Sequence, residues 1–197
     1  KEVDVQACQE VVEPMVYSVF RDPNALLTLT RLRGKDEYTY MHSVTVCVLM
    51  TAFAKEIGLP RESLTDLALA GLLHDVGKAL VPLDILNKPG KLTDEEFAVI
   101  KQHPGRGEAF LRQSGVSSEV VRDVCLHHHE RIDGTGYPDR LSGEQLTQVA
   151  RMGAICDVYD ALTSDRCYKE GWRPDVALKN MSSWQGHFDR QLLAAFI

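Results

Sequence analysis

The residues best equipped for chemistry are histidines set in apolar surroundings. Seven occur: His42, His74, His103, His127, His128, His129 and His187. His42 lies within a long apolar run, and His74-Asp75 lies near the end of the next one. His103 stands at a helix break, and His128 and His129 close another segment. Asp157 interrupts the apolar stretch Ala154-Ile155-Cys156-Asp157-Val158. Singly, each has a bland explanation: a lone histidine such as His42 is usually a hydrogen-bonded core residue, and Asp157 could pair with Arg151. As a set they do not, because the same ligand types end or interrupt five separate helices. Helical bundles build metal sites in this way, from inward residues on facing helices. A buried carboxylate needs a partner in any case, and a cation supplies one.

The donor set narrows the metal. Five imidazoles (His42, His74, His103, His128, His129) and two carboxylates (Asp75, Asp157) suit Fe, Mn, Zn, Ni or Co better than Mg or Ca, which prefer oxygen. Seven donors exceed the needs of one ion, and two ions sharing Asp75 would use them. Two divalent ions, offset by two carboxylates and a hydroxide, leave about one positive charge, which a phosphodiester would neutralise. The chemistry expected is two-metal hydrolysis of a phosphodiester, with hydroxide as nucleophile and a stabilised leaving oxygen.

Almost every element that must position these residues reads as helix. Val5, Val12, Met15, Val16 and Val19 recur at helical steps up to about Phe20. Asp22-Pro23 opens a second helix through Leu32. A long apolar helix is predicted from Tyr38 to Ile57, stopped by Gly58-Leu59-Pro60. Ser63 is expected to cap the next helix, ending at Gly77. Pro82–Gly90 reads as a loop or short turn. Thr93 and Glu96 form a capping box for a helix to about Gln102, broken by His103-Pro104-Gly105. Further helices are expected at Gly105–Gln113, Ser118–His129, Leu146–Leu162, Pro174–Ser183 and Asp189–Phe196. Arg131 to Gly143 is the irregular stretch. The fold class is all-α.

Composition bounds the function. The chain has 197 residues, 44% hydrophobic, enough for one packed domain with a small appendage. The net charge of −6 argues against a general DNA or RNA binder. The five cysteines form no C-x-x-C pair, so reduced thiols in a cytoplasmic domain are expected. The longest apolar stretch, Val44 to Ala54, is too short to cross a bilayer. His127 is expected to be exposed, and His187 to sit in a turn before the last helix. Trp172 and Trp184 read as core.

Ordered motifs add a resemblance. His74-Asp75-Val76-Gly77-Lys78, Pro82-Leu83-Asp84-Ile85-Leu86-Asn87-Lys88-Pro89-Gly90, His128-His129-Glu130 with Asp133-Gly134-Thr135-Gly136-Tyr137-Pro138, and Asp157-Val158-Tyr159-Asp160-Ala161-Leu162-Thr163-Ser164-Asp165-Arg166 follow in turn. The chain resembles the HD-GYP family of HD-domain metal-dependent phosphohydrolases over about Asp36 to Ile197. The resemblance implies a helical HD bundle with an irregular GYP loop, and a catalytic domain at 35–197 preceded by a helical segment at 1–34. It implies hydrolysis of cyclic di-GMP to linear pGpG, in some members onward to GMP, in bacterial signalling.

It also implies roles. The seven residues named above match metal ligands, and Asp75 and Lys78 match catalytic positions. Lys78, Tyr137, Arg166 and Lys169 match substrate contacts. Members with a third metal carry Glu one turn before the first ligand histidine. Here Tyr38 stands there and Glu37 is out of register, so two ions are expected, Fe or Mn first. Contact with GGDEF-domain proteins through the GYP loop, and regulation by a sensor or receiver domain, are further implications. The rivals are a cyclic di-GMP sensor with little turnover and a phosphohydrolase of another cyclic dinucleotide.

Overall fold

The computed structural model describes residues 3–21, 38–165 and 170–197, with backbone alone at 20, 38 and 39. The expected helix from Asp22 to Leu32, the boundary at residues 34 and 35, and Glu37, Arg166, Cys167 and Lys169 lie outside them. Among the described residues the regular elements are all helices, with one isolated bridge between Asp133 and Ser142, as the all-α expectation requires. In order the helices are α1 (Val5–Arg21), α2 (Tyr38–Glu56), α3 (Leu64–Leu73), α4 (Leu83–Leu86), α5 (Asp94–Ile100), α6 (His103–Gln113), α7 (Glu119–His127), α8 (Gln148–Thr163), α9 (Pro174–Ser183) and α10 (Arg190–Phe196).

Helix α2 packs along α3, and α3 packs on α7. Helices α6 and α8 flank α7, and α8 returns to α2. Helix α1 lies across α2 and α3 and buries Val12 and Val16 in the common core with Met50, Leu67, Leu111 and Ile155. Removing such surfaces from water is the main stabilising term. Side-chain caps define several starts. Thr93 accepts from the Glu96 amide while Glu96 accepts from the Thr93 amide, so the expected capping box forms. Ser118, Thr147 and Asp189 cap α7, α8 and α10.

Three local expectations need correction. The helix expected to run from Ser63 to Gly77 ends at Leu73, and a 3-10 turn follows at Val76–Leu80. Ser63 makes no capping bond, because its hydroxyl donates back to the Pro60 carbonyl at 2.7 Å. His103-Pro104 does not break a helix but begins α6, and the interruption falls one step earlier, at Lys101–Gln102. Proline lacks the N–H that a first turn leaves unused, so the residue that would stop a helix also starts one.

Among the described residues, no helix is long and apolar enough to cross a membrane. Cys8, Cys47, Cys125 and Cys156 are free thiols, the last three buried.

Candidate metal centre

The side chains expected to be ligands arrive from separate elements and meet in one buried cluster. His42 comes from the first turns of α2, and His74 from the residue after α3. Asp75 leads into the 3-10 turn, and His103 is the first residue of α6. His128 and His129 follow α7, and Asp157 lies midway along α8. His42, His74, Asp75, His103, His128 and Asp157 are all buried, and His129 is half-buried. The tight approach of the Asp75 turn to α6 depends on Gly77. A Cβ there would lie 1.9 Å from the His103 carbonyl oxygen, so no other residue fits without moving α6.

Hydrogen bonds around the rim fix which ring nitrogen faces inward. The Nδ1 atoms of His74 and His103 meet the carbonyls of Gly71 and Ile100 at 2.7 and 2.8 Å, and that of His128 meets those of Val124 and Cys125, each at 3.0 Å. A carbonyl only accepts, so each Nδ1 carries the proton and donates. The neutral ring then presents its Nε2 lone pair to the centre. His42 is held likewise, with Nδ1 2.6 Å from Asp160 Oδ2. Asp160 falls within the motif that begins at Asp157, and the resemblance gives it no role. Its spacing of three from Asp157, on one face of α8, is the signal that could have found it.

Asp75 divides the cluster. Its Oδ1 lies 3.2 Å from His103 Nε2 and 3.6 Å from His128 Nε2. Its Oδ2 lies 3.4 Å from His74 Nε2 and 3.6 Å from His42 Nε2. Two groups of converging ligand atoms result, Asp75-His103-His128-His129 and His42-His74-Asp75, and Asp75 belongs to both. Asp157 also spans the cluster. One oxygen is 3.0 Å from His42 Nε2 and 3.8 Å from His74 Nε2, and the other is 3.8 Å from His129 Nδ1.

Asp75 Oδ1 is buried without a hydrogen-bond partner. A carboxylate oxygen among unprotonated imidazole nitrogens is costly to bury unless a cation neutralises it. The donor set and this orphaned oxygen therefore fit divalent metal binding. Burial would lower the His42 pKa, but its bonds to Asp157 and Asp160 more than reverse this, to about 9. Burial would raise the Asp75 carboxyl, yet His74 and Lys78 hold it well below the usual range. Burial, with His128 adding to it, holds His129 well below the usual imidazole value.

Lys78 swings back along the 3-10 turn, its ammonium donating to Asp75 Oδ2 at 2.5 Å. Tyr137 stacks on His129 with ring centroids 4.8 Å apart. Burial pushes its phenol pKa upward, so Tyr137 is an O–H donor at neutral pH. The loop carrying it is clamped by Glu130, whose Oε1 accepts from the Asp139 and Arg140 amides at 2.7 and 2.8 Å. Gly136 packs directly on that residue, where a Cβ would lie 2.4 Å from Glu130 Cα. So this glycine serves packing of the loop. Glu130 was another residue without an assigned role.

His127, expected to be exposed, is half-buried between Asp123 and Asp139, at 2.7 and 3.2 Å. Carboxylates on α7 and on the loop draw the ring inward. His187 lies in the turn before α10 and stacks between Trp184 and Phe188. Trp184 packs against the core and Trp172 is half-buried. Arg151 pairs with Asp189 at 2.7 Å, not with Asp157.

Comparison with known proteins finds relatives over most of the chain. A cyclic di-GMP phosphodiesterase of Pseudomonas aeruginosa is 55% identical over 99% of this chain, and the match spans 47% of that protein. The cyclic di-GMP phosphodiesterase response regulator RpfG of Xanthomonas campestris is 42% identical over 73% of this chain and 39% of its own length. The chain thus spans less than half the length of these two relatives. An HDG"Y"P protein of Bdellovibrio bacteriovorus superposes with a TM-score of 0.81 at 25% identity, over 97% of this chain and 61% of that one. These likenesses bear out the HD-GYP resemblance and the helical HD fold. The profile described as HD domain matches residues 23–192, and the chain belongs to the HD domain family.

Proposed function

We propose that residues 35–197 form the catalytic domain of a cytoplasmic cyclic di-GMP phosphodiesterase that cleaves its substrate to linear pGpG, which some members of the family carry onward to GMP. The observation that carries this reading is the placement of Asp75, with each oxygen turned to a different group of histidines and Oδ1 unpartnered. Two divalent ions, Fe or Mn before Ni, Co or Zn, would be held by His42, His74, Asp75, His103, His128, His129 and Asp157, with Asp75 shared. Bound there, they would supply Lewis acidity and an activated water.

The remaining work falls to the chain's own groups. The Lys78 ammonium, pinned beside Asp75, offers a compact positive charge to a non-bridging phosphate oxygen as negative charge develops. Tyr137, held flat on His129, offers a hydroxyl donor and an aromatic face at the mouth of the site. Asp160 keeps the His42 ring from turning. Arg166 and Lys169 are assigned to the substrate on the resemblance. So are a GGDEF-domain contact at Gly136-Tyr137-Pro138 and control by a sensor or receiver domain. The relatives' names support the choice of cyclic di-GMP.

The test is anaerobic purification with Fe or Mn, metal quantification, and chromatography of products from a panel of cyclic dinucleotides. The expected result is about two ions per chain and pGpG from cyclic di-GMP. Product-free mixtures after hours at equimolar enzyme would favour the sensor reading. Full occupancy by three ions, with Glu37 coordinated, would overturn the count. Asp75→Ala should lose both ions and all turnover, and near-normal activity in that variant would refute the shared-ligand role.

A further inference from the structure

The cleft above the histidine cluster extends well past it. Its volume is about 990 Å³, more than a single phosphodiester group requires and in the range of sites that enclose large organic ligands. His128, His129 and Asp157 form its floor. The loop wall carries Arg131, Tyr137 and Arg140. A second part of its wall comes from the end of α5 and the turn into α6, with Phe97, Lys101 and Gln102.

Two features of that second wall stand out. Phe97 is 44% exposed on α5, whose start is held by its capping box and by the Lys88–Glu96 ion pair at 2.7 Å. The Lys101 ammonium lies 5.0 Å from the centroid of the Phe97 ring. An aromatic face beside an ammonium matches a nucleotide, whose base stacks and whose phosphate is anionic. The charge distribution agrees. Lys101, Arg131 and Arg140 are exposed in the cleft, whereas its acidic groups, Glu130 and Asp157, are buried. In a chain of net charge −6, the cleft is thus a local cationic region.

We propose that Phe97 and Lys101 form a nucleotide subsite, taking the base and phosphate of the half of the cyclic dinucleotide that is not being cleaved. This rests on the function proposed above. The scissile phosphate must sit over the histidines, so the second nucleotide must lie along a cleft wall. Lys101 stands only two residues before His103, which places this part of the wall beside the cluster.

The experiment uses the metal-loaded full chain and two substrates: cyclic di-GMP, and bis(p-nitrophenyl) phosphate, a small diester without a purine. Phe97→Ala should raise KM for cyclic di-GMP about tenfold, the effect of losing one base–aromatic contact, and Lys101→Ala should raise it too, through loss of the cation beside the phosphate. Both should leave kcat and cleavage of the small diester unchanged, and Lys101→Arg should restore most of the binding. Unchanged KM in both alanine variants, or equal losses on the two substrates, would overturn the subsite. A wild-type chain that cleaves the small diester but not cyclic di-GMP would overturn the proposed substrate and the subsite with it. With an active wild type, only the subsite is at stake.

Discussion

His42 shows how a candidate ligand depends on a residue outside the seven. Its inward nitrogen is useful only while the ring holds one orientation, and Asp160 fixes that orientation from 118 residues away. Asp160 is itself held, because Ser164 Oγ donates to its other oxygen at 2.9 Å. Removing such outer partners weakens metal binding roughly 10–100-fold in comparable sites. Asp160→Asn should therefore lower metal affinity by about that factor, measured by competition with a chelator, with the helical content intact. Unchanged affinity would mean that packing of α2 alone orients the ring.

At the scale of elements, the ends of helices matter more than their middles. His74, His103 and His128 all sit at helix ends, where the chain can turn a side chain without breaking an intrahelical ladder. The far end of the bundle is held by the same device. Asp189 caps α10 by accepting from the Gln191 and Leu192 amides at 2.9 and 3.0 Å, and it pairs with Arg151 of α8. Burial would raise the Asp189 pKa, but the amide bonds and Arg151 outweigh it and lower it. A carboxyl with a lowered folded pKa stabilises the protein above its unfolded pKa and ceases to as pH falls through the folded value. Asp189→Asn keeps a capping side chain but loses the charge. It should be about 0.5–1 kcal/mol less stable at pH 7. Denaturant melts at several pH values should show the gap closing below about pH 4. A gap independent of pH would remove the carboxylate from the account.

At the scale of the whole molecule, the cluster joins α2, α6, α8 and the segments after α3 and α7. Metal bound only by the folded chain stabilises by about 2.7 kcal/mol at a free concentration a hundredfold above Kd. In a domain of this size that corresponds to roughly 5–10 °C in Tm. Calorimetry with Mn and then with excess chelator should show such a drop. An unchanged Tm would mean that the bundle does not bind metal tightly.

Much of this was legible from residue types and order. Helix periodicity, capping boxes and turn residues are local, so α1, α5, α7 and α9 emerge where their spacing places them. The seven candidate ligands stand out because imidazole and carboxylate are out of place among apolar neighbours. What the chain order did not contain was direction. Residues 46–50 of α2 are buried one after another, so no face is marked by polarity, and periodicity says nothing about where His42 points. Asp160 was missed for the same reason, since His42 becomes its neighbour only when α2 and α8 pack, whereas the Glu130 clamp depends on how an irregular loop folds back over 9 and 10 residues. The sequence by itself determined the candidate donor set and the all-α class. Only the tertiary structure decided how those donors divide into two groups about Asp75, because that depends on the relative rotation of five packed segments.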